Sequence, residues 1–369
     1  MNENETYAPR LEKLKARLHA QSIDTLWVLK EENRFYLSGF KGHDGSYNES
    51  AGSLFISRNR QYLATDFRYI EQAKNEALYF EPVRYKKNVI DLMPDILKDM
   101  KTKRLGFEAS RLSYQQFQKV SETLKKTGIS VDLVPCEEMV EDLRIIKEGA
   151  ELAMIRHSLA ITESVLIAIV NKLIPETPER EVAWSIEKEI REKGAEAISF
   201  PPIVASGENA ALPHAIPTNR NINKGEPIVI DLGSRWKGYC SDMTRTVVLG
   251  KSDPKFRNVV QVVYDAQQKA IDAIKAGVSS KFVDKVARDY IAEKGFDGKF
   301  GHGLGHGVGL AIHEKPALNP TSDVILECGM VVTVEPGIYI PGWGGVRLEN
   351  MVIVRKEGGE VLNKVPVLL

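Results

Sequence analysis

Hydrophobic and polar positions divide the chain into two stretches with different patterns. Up to residue 142, apolar runs typical of strands, such as DTLWVLK, GSLFIS and RLGFE, alternate with segments of helical period, such as APRLEKLKARLHAQ and SYQQFQKVSETLKK. This alternation predicts a small α/β domain with a largely covered sheet. From residue 143, longer helices and paired strands predict an α+β domain, so we expect domains 1–142 and 143–369.

Four helices are predicted in the second domain, where apolar residues recur at intervals of three and four. They lie within residues 148–173, 176–194, 254–277 and 279–295. Thr177 is the expected N-cap of the second of these helices, with Pro178 at its first position. Two candidate hairpins, 226–250 and 330–354, lie between and after the helices.

Composition narrows the class of protein without indicating a function. The chain has 369 residues, 43% hydrophobic and 27% charged, as expected for a soluble protein of two domains. Lysine plus arginine balance aspartate plus glutamate at 50 each, so we expect no nucleic-acid or membrane partner. The three cysteines lack metal-type or disulfide-type spacing, and no apolar run approaches a membrane span. We therefore expect a cytoplasmic protein with buried cysteines.

In the first hairpin, Asp231 and Asp242 interrupt apolar strands. If Lys237 and Gly238 form an even-length turn, Asp231 lies opposite Thr244 and the two aspartates become diagonal neighbours on one face. Two uncompensated anions there would be costly, so a cation should lie between them. An odd-length turn would instead leave one aspartate in solvent, and this hairpin alone does not decide between the two.

The second hairpin repeats the feature. With a turn centred near Gly342, Glu335 and Glu349 fall directly opposite each other, which destabilises a sheet unless the charges are neutralised. Arg347 shares the face of Glu349, so a purely structural Arg–Glu network is the alternative to a functional site.

The stretch GHGLGHGVGLAIHEKP, residues 301–316, carries His302, His306 and His313 on a backbone rich in glycine. Glycine permits either a loose loop or a backbone that passes close to another group, and the stretch alone leaves both open. A zinc helix of the H-E-x-x-H type is excluded, because Gly303 stands where the Glu is required. A dinucleotide site is not indicated, because no βαβ pattern surrounds the glycines.

One arrangement would explain both hairpins and the glycine-rich stretch. Two divalent metal ions roughly 3.5–4 Å apart need carboxylates to screen their repulsion and further oxygen or nitrogen ligands to complete each shell. Asp231, Asp242, Glu335 and Glu349 would supply oxygen, and His306 would supply nitrogen. This set favours manganese, cobalt or zinc over a cysteine-type structural zinc site.

Five segments of the second domain, in order along the chain, also resemble a known family. They are PIVASGENAALPHAIPT, VIDLGSRWKGYCSDMTRT, GHGLGHGVGLAIHEKP, VVTVEPGIYI and GGVRLEN. Together they closely resemble the pita-bread dinuclear metallopeptidases of the proline-peptidase branch, Xaa-Pro aminopeptidase and Xaa-Pro dipeptidase (prolidase). ENRFYLSGFKGHDG and ATDFRYIEQA resemble the smaller N-terminal domain of that branch. The resemblance covers the whole chain. It implies an α+β pita-bread catalytic domain after a creatinase-type α/β domain, and a homodimer.

The resemblance implies a metal ligand at each of five matching positions: Asp231, Asp242, His306, Glu335 and Glu349. Asp242 and Glu349 would bridge two divalent ions, with Mn²⁺ expected and Co²⁺ or Zn²⁺ possible. Asp231 would bind one ion and His306 the other. Glu335 would also act as general base toward the attacking water.

The resemblance also implies residues that contact a proline-containing peptide substrate. His214, in LPHA, corresponds to a histidine near the scissile bond, and His313, in HEKP, to one that steadies the tetrahedral intermediate. His302, Arg347 and Tyr339 correspond to residues of the pocket or its surroundings.

One position departs from the prolidase pattern. Several prolidases carry Arg directly after HExP, where it clamps the free carboxylate of a dipeptide, but this chain has Ala317 there. We therefore expect a metal-dependent Xaa-Pro aminopeptidase acting on short peptides, with Xaa-Pro dipeptidase as the alternative. A metal-free creatinase-like hydrolase and a non-catalytic binding protein with the same fold stay open, and metal content separates both from a peptidase.

Overall fold

The structure, a computed structural model, describes residues 6–46 and 49–367. The chain forms two compact units, Met1–Arg144 and Ile145–Leu369. The boundary between them is therefore at 144/145, two residues after the position that the hydrophobic pattern predicts, 142/143.

Helices and strands alternate in the first unit. The helices are α1 (Tyr7–Ala20), α2 (Glu31–Ser38), α3 (Ile70–Glu76), α4 (Val89–Asp99), α5 (Tyr114–Lys126) and α6 (Glu141–Arg144). The strands are β1 (Thr25–Val28), β2 (Ser53–Ser57), β3 (Gln61–Thr65), β4 (Glu81–Arg84), β5 (Arg104–Glu108) and β6 (Asp132–Cys136).

The six strands form one mixed sheet in the order β4-β3-β2-β1-β5-β6. Strands β1 and β2 are antiparallel, whereas β5 runs parallel to both β1 and β6. Every residue of β1 and β2 is buried. Because successive side chains point to opposite faces, the centre of the sheet is covered on both sides, as predicted.

The hydrophobic pattern does not predict α2 or β4. Helix α2 has only eight residues, too few to show a clear helical period. Strand β4 lies at the sheet edge, and none of its residues is fully buried, so it lacks an apolar alternation.

In the second unit, pairs of long helices alternate with groups of strands. The helices are α7 (Gly149–Lys172), α8 (Glu179–Glu192), α9 (Pro254–Ala273) and α10 (Ser280–Ile291). The strands are β7 (Ala197–Ile198), β8 (Ile203–Ser206), β9 (Pro227–Leu232), β10 (Ser234–Trp236), β11 (Tyr239–Cys240), β12 (Met243–Val248), β13 (Gly305–Gly307), β14 (Glu314–Leu318), β15 (Val331–Val334), β16 (Gly337–Ile340), β17 (Gly344–Arg347), β18 (Asn350–Val354) and β19 (Gly359–Val361).

Antiparallel sheets carry the candidate site residues of the second unit. One sheet has the order β12-β9-β8, and another has the order β14-β13-β15-β18-β19. Helices α7 and α8 pack against each other and against strands β7, β8, β10 and β11. Helices α9 and α10 pack against each other and against strands that include β14, β15 and β17. Apolar side chains of α9 and α10 form the main core of this unit with those of the second sheet.

By length and composition, the most apolar 18-residue window of α7 could cross a membrane. The expectation that no apolar run reaches this length is therefore wrong. Half of that window is buried in the protein, and polar groups of α7 hold the neighbouring strands. Ser158 Oγ donates to Ser234 O at 2.6 Å, and the hydroxyls of Thr162 and Ser241 are 2.8 Å apart. These contacts are those of a core helix.

Two smaller expectations also differ from the structure. Helix α8 begins at Glu179, so Pro178, not Thr177, is its N-cap, and no side chain caps this end. Cys136 and Cys240 are buried as expected, but Cys328 is exposed.

Candidate active site

A pocket of about 570 Å³ in the second unit brings the predicted site residues together. Nine of the ten line it: His214, Asp231, Asp242, His302, His306, His313, Glu335, Arg347 and Glu349. The tenth, Tyr339, is buried, and its hydroxyl lies 2.9 Å from His302 Nε2 and accepts from Arg347 Nη1 at 3.0 Å. An apolar wall includes Phe200, Pro201, Pro202, Ile203 and Ile216.

The first hairpin has the predicted register. Asp231 on β9 lies opposite Thr244 on β12. Lys237 and Gly238 form the two-residue turn, both with positive φ (48° and 81°), the backbone that a tight hairpin turn of type I′ requires. Asp242, directly before β12, therefore faces the pocket with Asp231.

The second hairpin also has the predicted register, although it divides between two sheets. Val334 lies opposite Asn350 in the five-stranded sheet, and Gly337 lies opposite Arg347 in the two-stranded ribbon of β16 and β17. These flanking pairs bring Glu335 and Glu349 opposite each other where the hairpin passes from one sheet to the other.

The sequence suggests that Arg347 could pair with Glu349, but in the structure it pairs with Asp231. Its Nη2 donates to Asp231 Oδ2 at 2.7 Å, and its Nε donates to Thr244 Oγ1 at 3.2 Å. That hydroxyl in turn donates to Glu349 Oε2 at 2.8 Å. Arg347 therefore neutralises the carboxylate of the other hairpin, and a threonine links it to Glu349.

The glycine-rich stretch holds His306 in a tight strand. A Cβ added at Gly305 would lie 2.0 Å from Thr333 O, and one at Gly307 would lie 2.1 Å from Lys315 O. The close approach is therefore to the neighbouring strands β15 and β14, and the loose-loop alternative is wrong.

The ring of His306 is held so that one nitrogen faces the acidic residues. Its Nδ1 lies 3.0 Å from Gly307 O, which fixes the hydrogen on that nitrogen. Its Nε2 then points a lone pair toward Asp242 Oδ2 at 3.6 Å and Glu335 Oε1 at 3.4 Å. Burial lowers the pKa of His306, so the ring is neutral and suited to bind a metal.

Three carboxylate oxygens in the pocket lack a hydrogen-bond partner among the described residues: Asp231 Oδ1, Asp242 Oδ1 and Glu349 Oε1. All three are buried, and a buried polar atom without a partner is costly. Ligand atoms of Asp242, His306 and Glu349 lie within 4.8 Å of one another. The free oxygens and the neutral imidazole fit a divalent cation.

Burial and mutual repulsion act on the same carboxylates. Burial, with the charges of Asp231 and Glu335, raises the pKa of Asp242 and of Glu349 well above the usual range, and Glu349 adds to the effect on Asp242. Burial raises the pKa of Glu335 to about 7. Without a cation, the protein would hold several of these groups protonated near neutral pH.

The other histidines lie around this cluster. The ring of His313 is perpendicular to that of His306, with centroids 4.3 Å apart. Burial lowers the pKa of His302 to about 4, so its ring is neutral beside Tyr339. His214 is exposed and lines the pocket.

Sequence reasoning missed three polar residues of the site. Thr333 donates to Glu335 Oε1 at 3.2 Å, and Thr244 bonds Glu349. Both could have been found: Thr333 lies two positions before Glu335 on one strand face, and Thr244 lies opposite Asp231 in the predicted register. Asn319 also lines the pocket, but no pattern in the sequence singles it out.

Two family models match the chain. Metallopeptidase family M24 matches residues 153–356, and the Creatinase/Prolidase N-terminal domain matches residues 10–146. The Xaa-Pro dipeptidase of Pyrococcus furiosus is 36% identical over 96% of this chain and 97% of its own.

Solved structures agree with this match. An Xaa-Pro dipeptidase from Bacillus anthracis is 38% identical, with a TM-score of 0.91 over 98% of this chain and all of its own. An X-Pro aminopeptidase from Thermotoga maritima MSB8 is 34% identical, with a TM-score of 0.86 over 96% of this chain and all of its own.

Both activities occur among these relatives, but the comparisons support the dipeptidase alternative better than the aminopeptidase expectation. The alanine at position 317 does not by itself decide between the two activities. The pocket geometry and the comparisons together lead to one conclusion: this chain is a metallopeptidase of family M24, with a pita-bread catalytic domain preceded by a Creatinase/Prolidase N-terminal domain.

Proposed function

We propose that the protein is an Xaa-Pro dipeptidase, which hydrolyses the bond before proline in a dipeptide. The observation that carries this proposal is the set of buried carboxylate oxygens without protein partners, which converge with His306 Nε2 in one pocket. The similarity to two Xaa-Pro dipeptidases over nearly the whole chain supports the substrate class. A metal-free creatinase-like hydrolase would have no use for these oxygens.

The five residues Asp231, Asp242, His306, Glu335 and Glu349 would hold two divalent ions, with Mn²⁺ favoured by the oxygen-rich set. When bound, the ions polarise the peptide carbonyl and lower the pKa of a water molecule. The resemblance assigns Asp242 and Glu349 to both ions, and each would offer a cation one buried oxygen that has no partner among the described residues.

The protein's own groups would move the proton and hold the substrate. Glu335 would accept the proton of the attacking water and pass it to the proline nitrogen of the leaving group. His313, beside His306, would stabilise the oxygen of the tetrahedral intermediate, and His214 would hold the substrate near the scissile bond. Arg347 would hold the carboxylate of Asp231 in its orientation.

Apolar residues of the pocket suit the substrate. Proline is a compact ring without an N–H, so its site needs shape rather than a hydrogen-bond acceptor. Phe200, Pro202 and Ile203 line one side of the pocket and would exclude water from the substrate.

A dipeptide also has a free carboxylate, which needs donors. Arg347 is unsuited, because its guanidinium already donates to Asp231, Thr244, Tyr339 and Pro213 O. We propose the side-chain amide of Asn319 as one such donor. Its Oδ1 accepts from the backbone N–H groups of residues 321 and 322, which leaves its Nδ2 hydrogens free of partners among the described residues.

The test compares a dipeptide with a tripeptide. We expect Ala-Pro to be cleaved with a higher kcat/KM than Ala-Pro-Ala, and a chelator to abolish both activities. Tripeptide cleavage at equal or greater efficiency would return the protein to the aminopeptidase class. Undiminished activity in a verified metal-free sample would reject the mechanism. A homodimer and a cytoplasmic location stay predictions, which gel filtration and cell fractionation would test.

A further inference from the structure

Several buried carboxylates of the catalytic unit lie outside the candidate metal cluster, and one of them faces the segment that carries His214. Glu179, the first residue of α8, has no exposed surface. We propose that Glu179 is a positioning residue that holds the segment carrying His214 against the pocket. The proposal rests on the proposed function, because it assigns His214 a role with substrate.

The carboxylate of Glu179 binds both ends of one segment, residues 206–218. At the near end, Ser206 donates to Oε1 from its backbone N–H at 2.7 Å and from its hydroxyl at 2.9 Å. At the far end, Thr218 donates to Oε2 from its N–H at 3.1 Å and from its hydroxyl at 2.7 Å. Asn209 Nδ2 lies 3.0 and 3.1 Å from the two oxygens. One anion therefore closes a loop of 13 residues.

The segment between these ends reaches the pocket. Pro213, His214 and Ile216 all line it, and Pro213 O accepts from Arg347 Nη1 at 3.0 Å. His214 itself makes no hydrogen bond with the described part of the chain. The position of its ring therefore depends on the backbone that Glu179 closes.

The rest of the loop is fitted to the second hairpin. A Cβ added at Gly345 on β17 would lie 2.1 Å from Ala210 O, so the loop backbone rests directly on this strand. Such a contact persists only while the loop keeps its shape. Loss of the carboxylate at position 179 would leave the buried donors of Ser206 and the partly buried donors of Asn209 and Thr218 without this acceptor, and the loop would relax away from the hairpin.

The test uses Glu179→Gln, which keeps the side-chain shape but replaces one acceptor oxygen with an N–H₂ donor. We expect kcat/KM for Ala-Pro to fall roughly 10- to 100-fold, as a small misplacement of a substrate group can cause. Metal content should not change, because the predicted ligands lie on other segments. Backbone hydrogen exchange should become faster in residues 206–218 and stay unchanged in α9.

A double-mutant cycle separates positioning from general weakening. If Glu179 acts through His214, Glu179→Gln added to His214→Ala should lower kcat/KM little further than His214→Ala alone. Independent effects that multiply would overturn the proposal, as would unchanged exchange in the 206–218 segment. Glu151→Gln is the matched control, because Glu151 is a buried carboxylate on α7 whose oxygens accept from the Tyr239 hydroxyl and from the Glu148 N–H, each at 2.9 Å. It should leave kcat/KM and loop exchange unchanged.

A milder variant serves if Glu179→Gln does not fold. Thr218→Val removes one hydroxyl donor at the exposed far end of the loop, and it should reproduce both the faster exchange and a smaller loss of kcat/KM. An unchanged loop in Thr218→Val would contradict the proposal. If the unmodified protein cleaves no Xaa-Pro bond, the proposed function fails, whereas the exchange measurement still decides whether Glu179 holds the loop.

Discussion

Two glutamates, one in each unit, are similarly buried but differ in how many of their oxygens have a hydrogen-bond partner. Glu108 in the first unit and Glu349 in the second are both almost fully buried, and burial raises the pKa of Glu108 to about 7 and that of Glu349 well above its usual range. Glu108 uses both oxygens within the protein: Oε2 accepts from Lys30 N at 2.6 Å, and Oε1 accepts from Asn33 Nδ2 at 2.5 Å. Glu349 has one oxygen bound by Thr244 and one without a partner among the described residues.

The comparison shows which observation indicates a ligand. A raised pKa reports burial and is common to both glutamates, so it does not by itself mark a functional site. The unpartnered oxygen is present only in the glutamate of the pocket, next to Asp242, which has one too. Glu108, the last residue of β5, is therefore a structural carboxylate that accepts from groups at the start of α2. Glu349 has an oxygen available to a ligand, which fits the metal role proposed for it.

The largest effect should come from neutralising a shared carboxylate. Asp242→Asn replaces an anionic oxygen with a neutral amide, so we expect metal occupancy to fall. We also expect kcat/KM to drop by more than about 100-fold, because loss of a metal ligand should cost more than loss of a residue that only hydrogen-bonds to one. Metal content by mass spectrometry and Ala-Pro hydrolysis check both. Glu108→Gln, the matched change in the first unit, should keep metal and activity while lowering the free energy of unfolding. Full metal occupancy in Asp242→Asn would show that an unpartnered buried oxygen does not identify a metal ligand here.

Metal removal should make stability more sensitive to pH. The folded pKa of Glu335, about 7, lies above its ordinary value of 4.5, so the metal-free native state favours the proton and loses stability as pH rises from about 4.5 through 7. Glu108 titrates over the same range with or without metal, so the difference between the two forms isolates the pocket. Thermal unfolding at pH 5 and pH 8 measures it. A metal-induced gain in stability that is no larger at pH 8 would contradict the account.

His214 should separate substrate contact from metal binding. His214→Ala removes a pocket group that is not a predicted ligand, so we expect bound metal to stay unchanged and turnover to fall about 100-fold. Metal stoichiometry and kcat, measured on the same sample, show whether His214 contacts substrate or binds metal. Loss of metal in this variant would mean that His214 is a ligand.

The smallest effect should follow from restoring the arginine that several prolidases carry. Ala317 lines the pocket opposite His306 on the neighbouring strand, so a guanidinium there could pair with the dipeptide carboxylate. Ala317→Arg should raise the ratio of dipeptide to tripeptide kcat/KM, with a gain of at most roughly 1.5–3 kcal/mol. Asn319→Asp should lower the same ratio, because its charge repels that carboxylate. An unchanged ratio in both variants would place the carboxylate elsewhere.

The sequence predicts the features that depend on local register. The turns at Lys237–Gly238 and Gly342 place Asp231 opposite Thr244 and bring Glu335 and Glu349 face to face, because strand pairing next to a short turn is fixed by counting residues. The four proposed carboxylate ligands can be found in the sequence because they interrupt apolar strands.

Contacts between elements that are distant in sequence could not be predicted in this way. The pairing of Arg347 with Asp231, and the fit of Gly305 against Thr333, depend on how separate strands pack. The contact of Glu179 with the 206–218 segment is of the same kind, since no repeat or spacing links a helix start to residues 27 and 39 positions away. Substrate length cannot be predicted from one position, because Ala317 alone does not determine which groups bind a carboxylate.

The most direct test of the central claim, that the unpartnered carboxylate oxygens form a metal centre for Xaa-Pro hydrolysis, is metal content measured together with activity. The purified protein should contain about two divalent ions per chain, lose Ala-Pro hydrolysis when they are removed, and regain it as ions are added back. Full activity in a sample verified to contain no metal would contradict the account.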